Sequence, residues 1–245
     1  MATLQTVTGG GYGADSFKAT GAANLDAGNM DDGSIAVDIT TAFGGGPITY
    51  FGQTYTEIYI NTNGLITFGA PVTSYTPTGI DSLTVPSIAP FWSDVDIRGN
   101  NDGDIYWDVD AVTGKVTITW LDVASYGNNG ADRNSFQVIL SDTGGGDLSI
   151  EFVYGDIEWT NGGFGSASVG ITDGGAPPTF VELPGSDDDA ALIDFESTDF
   201  GNGDPDGTWE MDVDSTGNIL TSNGVVDGTS GDDIIDVTYD ADPEN

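Results

Sequence analysis

The chain has 245 residues, of which 38% are hydrophobic, and four basic residues face 40 acidic ones for a formal net charge of −36. This charge excludes nucleic-acid binding, which needs a basic patch to replace counterions, and it disfavours an anionic membrane surface. Because the sequence has no cysteine and no histidine, disulfides, zinc–thiolate sites, cysteine nucleophiles and serine–histidine–aspartate triads are excluded as well.

The acidic residues have two interpretations. Most of them are expected to form a solvated surface that keeps the protein soluble and monomeric. A few clusters could instead bind Ca²⁺, which prefers carboxylate and carbonyl oxygens. The first residues lack the basic and apolar regions of a signal peptide, and no run approaches the roughly 18 apolar residues of a membrane span. We therefore expect neither a cleavable N-terminal signal nor a membrane span.

Alternating apolar residues predict strands after an N-terminal extension, residues 1–30, of short strands and loops. The first predicted strands are Ile35–Ile39, Ile48–Phe51, Glu57–Asn61 and Leu65–Phe68. Asn63-Gly64 joins the last two as a hairpin turn, because glycine tolerates the positive φ that the turn needs. Residues 70–86 contain three prolines and no alternation, which predicts a loop.

The second half repeats the pattern at a similar spacing. The predicted strands are Phe91–Ile97, Asp104–Val109, Lys115–Val123, Ser135–Leu140, Asp147–Tyr154, Ala167–Ile171, Phe180–Leu183 and Gly207–Val213, with Ala190–Phe195 either a helical turn or a strand. Strands joined by tight turns form an antiparallel meander, which must bury one face against a second layer. The sequence therefore predicts an all-β protein, an antiparallel β-sandwich with a meander of short strands and long glycine-rich loops.

Several segments then resemble one known family in consistent order. They include F-G-Q-T-Y-T-E-I-Y-I-N-T-N-G-L-I-T-F-G (Phe51–Gly69), I-A-P-F-W-S-D-V-D (Ile88–Asp96), G-D-I-Y-W (Gly103–Trp107) and G-T-W-E-M-D-V (Gly207–Val213). Over roughly residues 30–214 the chain resembles the NIDO domain, the extracellular domain of nidogen. The resemblance implies an extracellular module of cell–matrix adhesion, and the absence of cysteine indicates a bacterial relative.

The C-terminal residues carry a second resemblance. D-G-T-S-G-D-D-I-I-D (Asp227–Asp236) is similar to one calcium-binding nonapeptide of the repeats-in-toxin (RTX) family, in which Gly231 and Asp233 would help to hold Ca²⁺. This likeness implies secretion by a one-step, type I route without an N-terminal signal. The domains expected are the extension 1–30, a NIDO-like sandwich 31–214 and an acidic linker with one RTX-like repeat, 215–245.

Two further acidic groups are candidate metal sites. Asp94 and Asp96 lie two apart on a predicted strand, so with Asn100, Asp102 and Asp104 across the next turn they could converge on a cation; the alternative is an exposed acidic strand face. The triplet Asn202, Asp204 and Asp206 matches the first half of an EF-hand loop, but Val213 stands at the twelfth position, where a bidentate glutamate belongs. A partial Ca²⁺ loop and an Asx-turn both remain open there.

Among the tryptophans, Trp107, Trp120 and Trp209 alternate with polar residues and are expected in the core. Trp92 and Trp159 are the candidates for a partner-binding surface. The leading hypothesis is a non-enzymatic, Ca²⁺-stabilised extracellular adhesion module that meets a protein or glycan surface. The alternatives are a carbohydrate-binding module or carbohydrate-active enzyme, and a structural spacer that precedes a longer RTX array.

Overall fold

The computed structural model describes residues 2–19, 30–99, 103–127, 132–201 and 205–220. Its strands are β1 (Asp15–Ser16), β2 (Ser34–Asp38), β3 (Ile48–Tyr50), β4 (Gln53–Tyr55), β5 (Glu57–Asn61), β6 (Leu65–Thr67), β7 (Ser87–Trp92), β8 (Val95–Asp96), β9 (Asp104–Asp110), β10 (Lys115–Ser125), β11 (Asn134–Gly144), β12 (Asp147–Ile157), β13 (Ser168–Thr172), β14 (Phe180–Glu182), β15 (Thr208–Val213) and β16 (Ile219–Leu220). Helix α1 is Asp189–Leu192, and short 3-10 turns occupy Ile80–Ser82 and Phe195–Ser197.

Two antiparallel sheets form the body of the protein. The first has the strand order β1-β9-β10-β11-β12-β15-β16, with β8 pairing to the end of β10, and the second has the order β14-β13-β7-β6-β5-β2. Strands β3 and β4 form a separate hairpin. The predicted all-β antiparallel sandwich is confirmed, and the meander runs through the consecutive strands β9 to β12.

The core lies between the sheets because alternate residues of each strand point to one face. In the meander, Val138 stands opposite both Ile118 and Phe152, and all three side chains are buried. The Trp120 ring stacks on Phe136 with ring centroids 5.1 Å apart. The Trp120 indole Nε1 also donates a hydrogen bond of 3.1 Å to the Thr62 carbonyl, which follows β5 of the second sheet. Core tryptophans therefore join the layers, as the alternation predicts.

The strand predicted at Phe91–Ile97 is split between the two sheets. Strand β7 ends at Trp92 in the second sheet, whereas β8 pairs with β10 of the first sheet, Val95 opposite Ser125. Ser93 and Asp94 form the crossover between them. Phe91, Val95 and Ile97 stay in phase with one alternating face on both sides of Ser93, so the period alone does not reveal the bend.

Residues 70–86 form the predicted loop, which the 3-10 turn Ile80–Ser82 interrupts. The loop covers the outer face of the second sheet, where a small apolar cluster comprises Leu65, Ile80, Leu83, Ala89 and Trp92. The segment predicted as either helix or strand contains α1. No helix of the described residues is long and apolar enough to span a membrane.

A candidate acidic and aromatic site

A pocket of about 200 Å³ opens at the end of the sandwich where β7 crosses to β8. Its lining residues are Asp31, Asp32, Tyr75, Asp94, Tyr126 and Phe164. They come from five separate segments: the chain before β2, the covering loop, the crossover, the end of β10 and the loop between β12 and β13. The site therefore exists only in the folded sandwich.

Three carboxylates form the base of the pocket. One carboxylate oxygen from each of Asp31, Asp32 and Asp94 lies within 4.8 Å of the other two. Asp94 is only 3% exposed, and its carboxylate accepts no hydrogen bond from the residues that the structure describes. Asp31 Oδ2 lies 2.9 Å from Arg98 Nη1, whereas its Oδ1 is buried and has no partner among the described residues. A buried carboxylate oxygen without a donor, such as Asp31 Oδ1, is energetically costly.

The Asn63 side chain fixes the arrangement of the cluster. Asn63 lies in the predicted hairpin turn and is 1% exposed. Its Nδ2 donates a hydrogen bond of 2.9 Å to Asp32 Oδ1, and its Oδ1 accepts one of 2.9 Å from the Val95 amide. One amide thus holds an acidic residue on one side and the crossover on the other.

The electrostatics of the cluster disfavour the charged forms of two of its carboxyls. Burial, followed by the neighbouring Asp32 and Asp31 carboxylates, raises the pKa of Asp94 to about 7. Burial, followed by Asp96, raises the pKa of Asp31 to about 6, although the Arg98 guanidinium opposes this rise. A positive charge among these oxygens would favour the ionised forms.

Aromatic rings surround the pocket opening. Tyr75 and Phe164 are 41% and 49% exposed, and their ring centroids are 4.9 Å apart. Tyr126 is 49% exposed, and the Arg98 guanidinium lies 5.6 Å from its ring centroid. The pocket therefore combines an acidic base with an exposed aromatic rim.

A second depression of about 390 Å³ adjoins this pocket, because its wall includes Pro77 and Gly165, close in sequence to the rim residues Tyr75 and Phe164. It too is acidic, and its charged and aromatic lining residues are Asp81, Glu182, Asp187 and Phe180. Burial is the largest cause of a raised pKa at Glu182. Together the two depressions form one surface, here called the acidic–aromatic face.

Of the predicted metal ligands, Asp94 joins the carboxylate cluster. Asp96 instead binds Arg98, whose Nη2 lies 2.6 Å from Asp96 Oδ2. The predicted convergence of Asp104 with Asp94 is wrong: the Asp104 carboxylate accepts hydrogen bonds from Ser16 Oγ at 2.6 Å and from the Lys18 amide at 3.1 Å. Asp104 thus holds the N-terminal segment.

Of the remaining predicted ligands, only Asp206 is among the described residues. Asp206 is exposed in the turn before β15. Asp102, Asn202, Asp204, Gly231 and Asp233 lie outside the described residues, as does the whole RTX-like repeat. Their calcium-binding roles stay predictions.

The expectation that Trp92 and Trp159 lie on an exposed surface is wrong. Trp92 is 2% exposed, because the covering loop packs over it and the Ser74 carbonyl accepts a hydrogen bond of 2.8 Å from its Nε1. Trp159 is 6% exposed, and its Nε1 donates to the Val123 carbonyl at 3.1 Å. Both indoles pack in the interior, and Tyr75, Tyr126 and Phe164 are the exposed rings instead.

The sequence pattern did not identify Asp31 and Asp32 as candidate ligands. Pairing of β2 with β5 sets Ser34 opposite Asn61. This register brings the residues before β2 beside the Asn63-Gly64 turn. A hypothesis of β2–β5 pairing could therefore have placed two more carboxylates near Asn63.

The fold and the site define an all-β sandwich module with an acidic, aromatic-rimmed pocket at one end. The family model described as NIDO related matches residues 12–206, which is more than half of the chain. The chain belongs to this family. The resemblance seen in the sequence motifs is thereby confirmed for the sandwich.

The curated relatives are much longer proteins, and this chain matches only a part of each. Alpha-tectorin of Mus musculus is 30% identical over 221 residues, which cover 76% of this chain and 10% of that protein. Dendrite extension defective protein 1 of Caenorhabditis elegans is 30% identical over 167 residues, which cover 57% of this chain and 14% of that protein. Nidogen of Drosophila melanogaster is 26% identical over 203 residues, which cover 68% of this chain and 14% of that protein. This chain thus corresponds to only a small part of the length of each relative. No solved structure matches it.

Proposed function

We propose that the chain is a non-enzymatic extracellular interaction module of the matrix type, which binds a partner protein through the acidic–aromatic face. One observation carries the proposal. Six large hydrophobic side chains of the described residues are exposed, and four of them (Tyr75, Tyr126, Phe164 and Phe180) line the two adjoining depressions. Exposed aromatic residues gathered on one surface are typical of interaction sites.

The negative charge of this face indicates which kind of partner it can bind. Its carboxylates belong to Asp31, Asp32, Asp94, Asp81, Glu182 and Asp187. A complementary surface presents lysine or arginine together with apolar side chains, since such groups satisfy carboxylates and stack on aromatic rings. Sulfated or carboxylated glycans carry the wrong sign of charge. A basic protein segment therefore fits best.

The non-enzymatic part of the proposal is supported by the chemistry of the chain. With no cysteine or histidine, serine–histidine–aspartate triads and cysteine–histidine pairs cannot form. The carbohydrate alternative relied on Trp92 and Trp159 as a stacking platform, and both are buried. The spacer alternative assigns no role to the exposed aromatic residues of this face.

The proposal extends to the setting of the protein. Secretion from a bacterium by a type I route is supported by the RTX-like sequence Asp227–Asp236 and by the lack of cysteine. Stabilisation by Ca²⁺ is supported by the many carboxylates, of which Asp94 is buried without a hydrogen-bonding partner among the described residues.

The test is binding of immobilised protein to short synthetic peptides that contain lysine and aromatic residues, at an ionic strength of about 0.15 M to screen diffuse attraction. The double variant Tyr75→Ala/Phe164→Ala is expected to weaken binding at least tenfold. Val112→Ala is the matched control, because Val112 is 87% exposed in the turn between β9 and β10.

The outcomes separate the hypotheses. Equal losses in the double variant and in Val112→Ala would mean diffuse attraction to an acidic protein and would overturn the proposed face. Binding to neutral glycans but not to the peptides would support the carbohydrate alternative. Turnover of polysaccharide or peptide by the purified protein would contradict the non-enzymatic assignment.

A further inference from the structure

We propose that Asp31, Asp32 and Asp94 bind a calcium ion that fastens the segment before β2 to the crossover between β7 and β8. The proposal rests on the proposed function in one respect: an extracellular module is exposed to calcium in its surroundings. Its geometry is independent of any partner protein.

The spacing of the carboxylates fits this ion. Calcium binds oxygens at about 2.3–2.6 Å, so ligands on opposite sides of it stand up to about 5 Å apart, whereas the shorter bonds of magnesium, about 2.1 Å, require a tighter cage. The three carboxylate oxygens lie within 4.8 Å of one another. Backbone carbonyls and water can complete the coordination of such an ion.

The second observation is the state of Asp94. Asp94 is only 3% exposed, yet it lines the pocket. Its carboxylate accepts no hydrogen bond within the described part of the chain. Asp31 Oδ1 is likewise buried without a described partner. Leaving Asp31 Oδ1 buried without a donor beside the crowded Asp94 carboxylate is unfavourable, and a cation between the two acidic segments would remove that cost.

Local charge supports a divalent ion. Arg98 contacts Asp31 and Asp96, so this one guanidinium serves two of the four nearby carboxylates. Four negative groups and one positive group leave a formal excess of three negative charges at Asp31, Asp32, Asp94 and Asp96. Binding of Ca²⁺ would reduce this excess to one.

The experiment compares thermal unfolding of the full chain in chelator, in Ca²⁺ and in Mg²⁺ at equal ionic strength. A ligand that binds only the folded state raises Tm by mass action. We expect a rise specific to Ca²⁺ that saturates with a Kd of about 10⁻⁴–10⁻³ M, the range of extracellular modules. Asp94→Asn is expected to weaken this Ca²⁺ response at least tenfold.

The same variant provides a readout that a merely structural aspartate would not give. In chelator, Asp94→Asn should be at least as stable as the parent chain, because it removes a buried charge from a negative cluster; in Ca²⁺ it should be less stable. Asp142→Asn is the matched control. It makes the same charge change at the far end of β11, where the exposed Asp142 Oδ1 accepts a hydrogen bond from the Gly144 amide.

Three results would overturn the proposal: equal Ca²⁺ responses in the parent chain and Asp94→Asn, equal responses to Ca²⁺ and Mg²⁺, or destabilisation of Asp94→Asn in chelator. A calcium response from the C-terminal repeat would persist in Asp94→Asn, so it is distinguished by that comparison. Loss of peptide binding with an intact Ca²⁺ response would contradict the proposed function but leave the metal site standing.

Discussion

At the scale of single residues, the most consequential polar side chain of the site is Asn63, which carries no charge. Its amide donates to Asp32 and accepts from the Val95 backbone. The buried Val95 amide has to find an acceptor when the chain leaves the second sheet, since an unpaired buried N–H is costly. Asn63 provides that acceptor and at the same time orients a carboxylate.

We predict that Asn63→Ala lowers the free energy of unfolding by about 2–4 kcal/mol, because the hydrogen bonds of the side chain with Asp32, Val95 and the Thr73 carbonyl are lost and the Val95 amide is left unpaired. Urea unfolding monitored by tryptophan fluorescence measures this. The control is Asn161→Ala, since Asn161 also accepts two backbone hydrogen bonds, from Gly163 at 2.7 Å and Gly165 at 3.4 Å, but is exposed. A change below about 1 kcal/mol is expected there. Similar values for both variants would contradict the prediction.

At the scale of elements, the hairpin turn between β5 and β6 packs directly against the end of β7. Gly64 has φ +76°, and a Cβ atom there would stand 1.9 Å from the Phe91 carbonyl oxygen. The Ser93 amide donates to the Asn63 carbonyl at 3.2 Å in the same place. The turn and the crossover therefore form one unit, and its close approach requires a residue without a side chain.

We predict that Gly64→Ala destabilises the fold by at least about 3 kcal/mol, because a steric clash with backbone adds to the cost of positive φ. Gly145→Ala isolates the second effect: Gly145 has φ +73°, but nothing lies within 4 Å of a Cβ there. Its expected cost is about 1–2 kcal/mol. Chemical denaturation of both variants tests the difference, and equal losses would show that backbone strain alone matters.

Elements were predictable from the sequence where burial follows a simple period. Strands β9 to β12 alternate apolar residues toward the core, and the Asn63-Gly64 turn carries its own signal, so both were found. The crossover at Ser93 and Asp94 was not, because Phe91, Val95 and Ile97 keep the same two-residue phase on both sides of it. The burial of Trp92 depends on a loop without periodicity, and the contact of Asp31 with Asp94 depends on strand pairing between distant segments.

At the scale of the whole molecule, the crowding of carboxylates governs the response to pH. Outside the carboxylate cluster of Asp31, Asp32 and Asp94, burial is the largest cause of the raised pKa values of three aspartates, and neighbouring carboxylates add to it. These aspartates are Asp108, Asp156 and Asp212. Hydrogen bonds act in the opposite direction at Asp110, where the Thr8 hydroxyl contributes most to lowering the pKa to about 2.

We predict that the protein becomes more stable as pH falls from about 8 to about 5, because folding raises the pKa of Asp94 to about 7 and that of Asp31 to about 6. A carboxyl whose pKa is raised by folding binds more protons in the folded state above its unfolded value of about 3.9, so acidification favours folding in that window. The stabilisation from Asp110 is lost only below about pH 3.9. Thermal melts in chelator measure the trend. Asp212→Asn should stabilise the protein most at high pH, where the parent carboxyl is ionised despite its raised pKa.

The same charge makes stability depend on salt. With 36 more acidic than basic groups, the folded state suffers self-repulsion that the expanded chain relieves. Raising NaCl from about 0.01 M to about 0.5 M shortens the screening length from about 30 Å to a few ångströms. We predict a rise of Tm with NaCl in chelator, of equal size in the parent chain and Asp94→Asn, because screening needs no specific ligand. The rise should shrink near pH 4, where many carboxyls are neutral. A fall of Tm with salt at neutral pH would mean that attractive pairs such as Arg98 with Asp31 and Asp96 outweigh the repulsion.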